Sequence, residues 1–352
     1  MRKSALALAV AGALTLPFAA QADTILYGSA RVSIDYLQVE GDVSNWDVTN
    51  NDSRLGVLGS EDLGGGLSAV YQYEFGVDVT EGTSGFENNR PKFVGLKGNF
   101  GTITVGTQES PYYHVSGIVD IFNSAKTFGS DAWLGGGFED DRVGRGLGLI
   151  RLDNSIYYAT PEFSGFSGEA MLVMDGRFNN TDGFSDGVDF WNIALKYNQG
   201  PFFAGVSYIA LNGNDNVDLG DGFSIDFDLD QWTVGLGYTA GPFNVGFIYE
   251  QGTLNQYGIF SNIRFDGVRV FGGDDATNFY LAGSYAFGNN TISAAYGQLD
   301  PGTRGSDKID NYILGYQYNF SRRTSVWAEY IGRSSDDLGD LNAFSLGTRV
   351  DF

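Results

Sequence analysis

Alternation of apolar and polar side chains restricts the fold of this 352-residue chain more than any other feature. Between Leu67 and Val79, every second residue is apolar, and aromatic residues recur on that face. A period of two places successive side chains on opposite faces of a β-strand. Further runs at 191–197, 232–238 and 243–250 carry Trp, Tyr or Phe at the ends of their apolar faces. This pattern is typical of strands that face lipid, because Trp and Tyr favour the two membrane interfaces.

Sixteen segments of this kind can be counted along the chain. They are 24–36, 53–60, 67–79, 92–98, 102–108, 151–159, 167–174, 189–197, 202–210, 230–238, 243–250, 278–286, 291–299, 309–318, 324–331 and 343–352. Short turns alternate with long connections between them, and the longest connection is 109–150. Short turns on one side and long loops on the other are typical of outer-membrane barrels. The sequence therefore predicts an all-β fold, a 16-stranded antiparallel transmembrane β-barrel.

The first 22 residues have the three parts of a secretory signal peptide. Arg2 and Lys3 give a charged start, an apolar run extends from Ala5 to Ala20, and Ala20-Gln21-Ala22 provides a small-x-small end. The alternative is an N-terminal membrane anchor, but the apolar run is at the short edge of the roughly 20 residues that a spanning helix needs. We predict cleavage after Ala22, export through the periplasm, and a barrel domain at 23–352.

The charge of the chain limits its partners. Without Arg2 and Lys3, the predicted mature chain has 19 basic and 43 acidic residues, a formal charge of −24. Nucleic acid is therefore excluded as a default partner, because such binding depends on Lys and Arg that neutralise phosphates. The absence of cysteine excludes disulfides and thiolate zinc sites. No cofactor is expected. The acids concentrate in the long connections, where they indicate solvated loops and leave calcium binding open.

Two soluble folds compete with the membrane barrel. A β-sandwich would bury its apolar faces and would need fewer Trp and Tyr at the strand ends. A propeller would show a self-similar period of about 40 residues, which is not found. The last strand alternates up to Phe352, whereas the termini of soluble domains usually fray.

Five segments resemble the Gram-negative general diffusion porins of the neisserial type. They are SRLGVLGSEDLGGGL (53–67), FVGLKGNFGTITVGTQ (93–108), RLDNSIYYATPEFSGF (151–166), YNFSRRTSVWAEY (318–330) and the terminal Phe352. The resemblance implies a homotrimer in the cell outer membrane, in contact with lipid that includes lipopolysaccharide. It implies that the third long loop, 109–150, folds inward as the constriction. It also implies that Phe352 is an assembly signal for the barrel-assembly machinery.

A porin selects small hydrophilic solutes by the width and the local field of its channel. Alternation predicts that Arg31, Arg54 and Arg151 point inward, the last because Leu152 and Ile156 would face out. In the resembling family, arginines that match Arg54 and Arg151 belong to a basic cluster opposite the loop. Here Thr107 and Leu58 replace a usual arginine and a common lysine. The acids expected on the loop are Glu109, Asp120, Asp131, Glu139, Asp140 and Asp141.

The sign of the ion selectivity is open at this stage. The charge of −24 and the threonine at 107 favour a weak cation preference, whereas the three inward arginines favour anions. Several of the loop acids could instead pin the loop to the wall through ion pairs. The outward residues of the first, second and fifth strands are small or aliphatic, and these strands are the expected trimer interface.

Three other functions are compatible with a barrel. A sugar- or anion-specific channel could line its path with aromatic residues of the insert, namely Tyr112, Tyr113, Phe122, Phe128 and Trp133. These residues could equally form the core of the loop. An outer-membrane hydrolase could use His114 and Ser116, which requires a hydrogen bond between them. A passive scaffold or adhesin is the third alternative.

Overall fold

The protein is a closed antiparallel barrel of sixteen strands, which confirms the predicted fold. The computed structural model describes residues 23–41, 44–82, 85–87, 90–123, 151–174, 187–212, 217–220, 222–225, 229–253, 263–265, 268–269, 275–300, 302, 307–336 and 339–352. The predicted signal peptide at 1–22 lies outside these residues, so it stays a prediction.

The barrel strands follow one another in chain order. They are β1 (Asp23–Val39), β2 (Arg54–Gly64), β3 (Leu67–Val77), β4 (Lys92–Gly98), β5 (Gly101–Glu109), β6 (Arg151–Ala159), β7 (Phe166–Val173), β8 (Phe190–Gln199), β9 (Phe202–Leu211), β10 (Leu229–Ala240), β11 (Phe243–Gly252), β12 (Ala276–Phe287), β13 (Asn290–Asp300), β14 (Ile309–Asn319), β15 (Thr324–Ser334) and β16 (Leu341–Asp351). Each of the sixteen predicted segments overlaps one of them, so the alternation located every barrel strand.

The first and last strands close the barrel. Residues Ser29–Val39 of β1 pair with β16, and Asp23–Ser29 pair with β2. Two short strands, Asn45–Asn50 and Phe86–Glu87, extend the sheet beside β1 and β3. A small separate sheet lies within long connections that the sequence predicts to be loops. Its short strands are Val217–Gly220, Phe223–Ile225, Ile263–Phe265 and Val268–Arg269. In the part of the chain that the structure describes, no helix has the length and apolar character needed to cross a membrane.

The outer face of the barrel is apolar and carries two belts of aromatic pairs. Near the long connections the belt includes Trp191 with Tyr208 and Trp232 with Tyr249. Near the short turns it includes Phe202 with Tyr238. Leucine and isoleucine side chains between the belts are exposed, as expected of strands in lipid.

One prediction from alternation is wrong. Leu152 is only 7% exposed and packs inside the barrel with Tyr112 and Met171, so it does not face outward with Ile156. The register between β5 and β6 shifts between Gly106 and Gln108, and Asn154 has a φ of 53°. Such a bulge inserts a residue and reverses the alternation beyond it, which the sequence pattern did not reveal.

Several aromatic rings lie over a glycine directly across the sheet. Trp327 opposes Gly347, Tyr280 opposes Gly297 and Tyr312 opposes Gly332. A Cβ atom at Gly347 would lie 2.0 Å from Cζ2 of Trp327, so the buried indole occupies the space that a side chain would take. These glycines are therefore required by packing, since their backbone φ angles are ordinary.

Replacing Gly347 by alanine should displace the Trp327 ring and destabilise the barrel by about 1–3 kcal/mol, the usual cost of overpacking. The measurement is urea-induced unfolding of the refolded protein, followed by tryptophan fluorescence. Gly283→Ala is the matched control, because a Cβ there has its nearest neighbour at 3.4 Å. Equal stability of the two variants would contradict this packing.

Candidate pore constriction

The connection after β5 starts with a short helix. Helix α1 spans Pro111–Ser116 and continues as a 3₁₀ turn, Gly117–Val119. Ser110 caps the helix, because its Oγ accepts a hydrogen bond from the backbone N–H of Tyr113 at 3.1 Å. Pro111 fits the first helical turn, where its missing N–H would have had no helical partner. We call residues 110–123 the lumen segment.

Glycines on the inner wall bring the lumen segment close to the strands. A Cβ atom at Gly235 of β10 would lie 2.7 Å from the carbonyl oxygen of Val115. A Cβ at Gly246 of β11 would lie 2.8 Å from the carbonyl oxygen of Ile118. Both glycines alternate with outward residues of their strands, so they face inward. The lumen segment therefore lies inside the barrel against these strands.

Buried hydrogen bonds fix the beginning of the lumen segment. The backbone N–H of Tyr112 donates to Oδ1 of Asn192 at 2.7 Å, and its hydroxyl donates to Glu250. Gln231 donates to the same hydroxyl at 2.6 Å, and Asn278 donates to Glu250 at 2.6 Å. Tyr112 is fully buried, and both burial and Glu250 raise its pKa well above the usual value. Tyr112 thus joins β8, β10, β11 and β12 to the lumen segment.

The far end of the lumen segment is fixed on the opposite part of the sheet. The backbone N–H of Asn123 donates to Glu329 of β15 at 2.8 Å, and its Nδ2 donates to Gln317 of β14 at 2.9 Å. An apolar cluster between the two ends packs Val119 and Phe122 against inward residues such as Tyr280 and Ile331. The segment consequently passes from β5 to β15 across the interior.

A chain of alternating charges links α1 to four strands. His114 Nδ1 lies 2.8 Å from Glu169 of β7, and its Nε2 lies 3.8 Å from Glu109 of β5. Glu109 is 3.8 Å from Arg151 of β6, and Glu169 pairs with Lys196 of β8. Burial alone would lower the pKa of His114, but Glu169 and Glu109 raise it to about 9. His114 is therefore a cation at neutral pH.

Five arginines, which we call the arginine wall, lie together on β1, β2, β6, β16 and the connection before β4; they are Arg31, Arg54, Arg90, Arg151 and Arg349. Arg90 bridges Asp52 at 2.7 Å and Glu74 at 3.6 Å. Arg349 pairs with Asp351 at 2.8 Å, and Arg31 donates to Ser29 at 3.0 Å. Most of these arginines therefore have a carboxylate beside them.

Asp52 lies among the arginines of the wall and stays ionised. Burial raises the pKa of Asp52, but Arg90, Arg151, Arg31 and Arg54 lower it below the usual value overall. Glu74 is buried, accepts from Tyr27 at 2.8 Å, and lies 4.0 Å from Arg54. The net positive charge of the wall is thus much smaller than the number of its arginines.

The structure brings part of the predicted constriction together. Arg31 and Arg54 point inward as alternation predicted, and Arg151 reaches the wall although the argument from Leu152 was wrong. Glu109 contacts Arg151 and His114, and Asp120 accepts from Tyr113 at 2.8 Å. The other loop acids and two of the loop aromatics lie outside the described residues; they are Asp131, Glu139, Asp140, Asp141, Phe128 and Trp133.

Two members of the wall were missed by sequence reasoning. Arg349 could have been found, because it alternates with outward Leu346 and Val350 on the last strand. Arg90 could not, because it belongs to a connection without a periodic signal.

The interpretation of Thr107 changes in the structure. The register places it opposite Lys92, whose ammonium lies over the ring of Phe75 on the outer face. Side chains directly opposite each other share one face of a sheet. A threonine at 107 therefore removes nothing from the inner wall, and this residue no longer supports a cation preference.

His114 and Ser116 do not form the hydrogen bond that the hydrolase alternative requires. Both ring nitrogens of His114 face carboxylates, and the hydroxyl of Ser116 donates to the carbonyl oxygen of Tyr112 at 3.0 Å. A serine nucleophile requires its hydroxyl to donate to the base. Among the described residues, no three Asp, Glu or His side chains come together as a metal site either.

A closed sixteen-stranded barrel with an apolar belt outside and a charged interior defines a porin. Residues 5–337 match the family model of the Gram-negative porins, and the chain belongs to this family. It is 31% identical to the major outer membrane protein P.IB of Neisseria gonorrhoeae, covering 93% of this chain and 92% of that protein. It is 30% identical to the P.IA protein of Neisseria meningitidis serogroup C over the whole of both chains.

A solved structure has the same fold. The anion-selective porin from Comamonas acidovorans superimposes with a TM-score of 0.74 at 24% identity, covering 94% of this chain and 100% of that one. The protein is thus an outer-membrane diffusion porin, and the predicted family and location are confirmed.

The raised pKa of His114 predicts a pH dependence of the lumen segment. Its contribution to anchoring should be complete below about pH 6.5, the unperturbed value, and should be lost as the pH rises through about 9. We expect current fluctuations to increase between pH 8 and 10 in single-channel recordings. His114→Gln should show no such step, and a step of equal size in this variant would show that His114 is not its cause.

Proposed function

We propose that the narrowest part of the channel lies between the lumen segment and the arginine wall. The observation that carries the proposal is the double anchoring of the lumen segment, by Tyr112 at one end and Asn123 at the other. Glu109 stands where the two elements meet, because it contacts Arg151 on one side and His114 on the other. Solutes would pass beside this junction.

Loop acids complete the constriction in this proposal. Asp131, Glu139, Asp140 and Asp141 would face the arginine wall across the aperture, as the resemblance to the porin family implies. Glu109 would mainly position the segment, since it is engaged on both sides. Asp120 lies exposed at the end of the 3₁₀ turn and would contribute to the field in the lumen.

Aromatic packing favours general diffusion over a specific sugar channel. Tyr112 is fully buried, and Phe122 packs on the apolar cluster around Val119. These rings support the loop, so they are not available to line a solute path. The channel would therefore pass small hydrophilic solutes by size and charge, without catalysis.

The pairing of the arginines supports weak ion selectivity. Asp52, Glu74, Asp351 and Glu109 form ion pairs with arginines of the wall, so the field of the wall largely cancels. The acidic long connections would then favour cations at the channel mouth. We propose a weak cation preference, although the Comamonas protein is named anion-selective.

Asp351→Asn should shift the selectivity towards anions, because it frees Arg349 and Arg31 from their carboxylate. Two unit charges 4 Å apart in water interact by about 1 kcal/mol, so the ratio of cation to anion permeability should change roughly fivefold or less. The measurement is the reversal potential across a KCl gradient in planar bilayers. Glu61→Gln, at the exposed end of β2, is the control of equal charge change. A clear anion preference of the unaltered protein would refute the proposal.

We also propose a homotrimer in which β1, β2 and their neighbouring strands form the contacts between subunits. The aromatic pairs form a continuous series over β7 to β16, whereas outward residues in the middle of β1, β2 and β5 are small or aliphatic, such as Ala30, Val57 and Val105. Lipid-facing strands carry the belts. Tyr71 and Tyr73 of β3 are exceptions to this division, as are the pairs of Tyr36 with Trp46 and of Phe75 with Phe86.

Ala30→Trp should weaken the trimer, because a bulky ring would separate the facing strands. Size-exclusion chromatography with light scattering after mild detergent extraction measures the oligomer. Leu236→Trp, on an exposed outward position of β10, should have no effect. A monomeric unaltered protein would exclude the trimer.

Assembly is proposed to depend on Phe352. Its backbone exchanges hydrogen bonds of 3.0 and 3.1 Å with Gly28, and its ring covers that glycine on the outer face. The ring remains 55% exposed, so the assembly machinery could bind it before closure. Lipid that includes lipopolysaccharide would surround the belts.

A further inference from the structure

Asp35 of β1 is a buried carboxylate without a protein partner. It alternates with outward Ile34, so it faces the lumen, and it is 6% exposed. Within the described part of the chain, both of its carboxylate oxygens are buried and accept no hydrogen bond. Burial of an ionised carboxylate is unfavourable unless a cation or hydrogen-bond donors compensate it.

The neighbours of Asp35 increase this cost. The register places it directly opposite Asp47 of the short strand Asn45–Asn50 on one side and Ser345 of β16 on the other. Facing side chains have Cβ atoms about 4.5–5.5 Å apart, and like charges at that distance repel each other. Ser345 already accepts from Nε1 of Trp327 at 3.3 Å.

Asn51, the residue after the short strand, carries a second buried acceptor on the same face as Asp47. Nδ2 of Asn51 donates to Oγ of Ser33 at 2.6 Å and to the carbonyl oxygen of Thr49 at 3.2 Å. These bonds fix the amide, and its Oδ1 is buried without a partner. Neither Ser345 nor any other described group forms a hydrogen bond with the carboxylate oxygens of Asp35.

The arginine wall does not neutralise Asp35. Arg31 lies four residues away on the same strand, about 13 Å along β1. Its guanidinium donates to Ser29, on the side away from Asp35. The positive charge of the wall is directed towards Asp351 and Asp52.

We propose that Asp35 and Asp47 bind a Mg²⁺ ion on the lumen wall, on the side of the arginine wall that is nearer to the long connections. Mg²⁺ is typically bound by one or two carboxylates and keeps several waters, which fits two facing aspartates of which Asp47 is exposed. The ion relieves the repulsion between the carboxylates and supplies the missing partner of Asp35. Oδ1 of Asn51 is a further acceptor for its waters. The bound ion would also reduce cation entry.

The test is thermal unfolding of the refolded protein in lipopolysaccharide-free detergent, with MgCl₂ titrated at constant ionic strength. The unaltered protein should show a saturable increase of the unfolding temperature, half-maximal at roughly millimolar Mg²⁺. Asp35→Asn should unfold at a higher temperature without Mg²⁺ and lose the response. Asp336→Asn, which removes an exposed acid from the connection before β16, should keep it.

A second variant covers a failure of Asp35→Asn to fold. Asp47→Asn changes an exposed side chain and should shift the Mg²⁺ midpoint at least tenfold. Reduction of the single-channel current by Mg²⁺ in the unaltered protein should weaken in the same variant. An unfolding temperature that follows ionic strength alone, or an unchanged Mg²⁺ response in either aspartate variant, would overturn the proposal.

Discussion

Closure of the sheet is the constraint on which the rest of the structure depends. In lipid, every backbone N–H and C=O must be paired within the protein, and an open sheet edge is not tolerated. β1 meets this requirement by pairing with both β2 and β16, and Phe352 completes the seam beside Gly28. Closure also divides the side chains into two environments. Alternating apolar residues can then face lipid while the polar set faces a lumen.

A lumen enclosed by sixteen strands is wide, and the lumen segment occupies part of it. Glycines such as Gly235 and Gly246 let the backbone of α1 and its 3₁₀ turn approach the wall, and Tyr112 and Asn123 fix the two ends. The charged residues are fixed as well, because most arginines of the wall form ion pairs with carboxylates. Packing and ion pairing therefore hold the interior in place.

Alternation located all sixteen strands because lipid contact enforces a strict period of two. It also placed Arg31 and Arg54 correctly, but it misplaced Leu152, because a bulge beyond Gly106 reverses the faces without any change in composition. The partners of the lumen segment were beyond sequence reasoning. Tyr112 and Glu250 are 138 residues apart, and a hydrogen bond between them leaves no periodic trace. Arg90 was missed for the same reason, since it belongs to an irregular connection.

The central claim is that the lumen segment lies against the inner wall. The chain has no cysteine, so a single engineered pair can test it. A Cβ atom at residue 205 would lie 3.0 Å from Cγ2 of Val115, which suits a disulfide between cysteines at these two positions. In Val115→Cys/Gly205→Cys, oxidation of the folded porin should form the disulfide nearly completely while the channel stays open in single-channel recordings. Free thiols in a correctly folded double variant would show that the segment lies elsewhere.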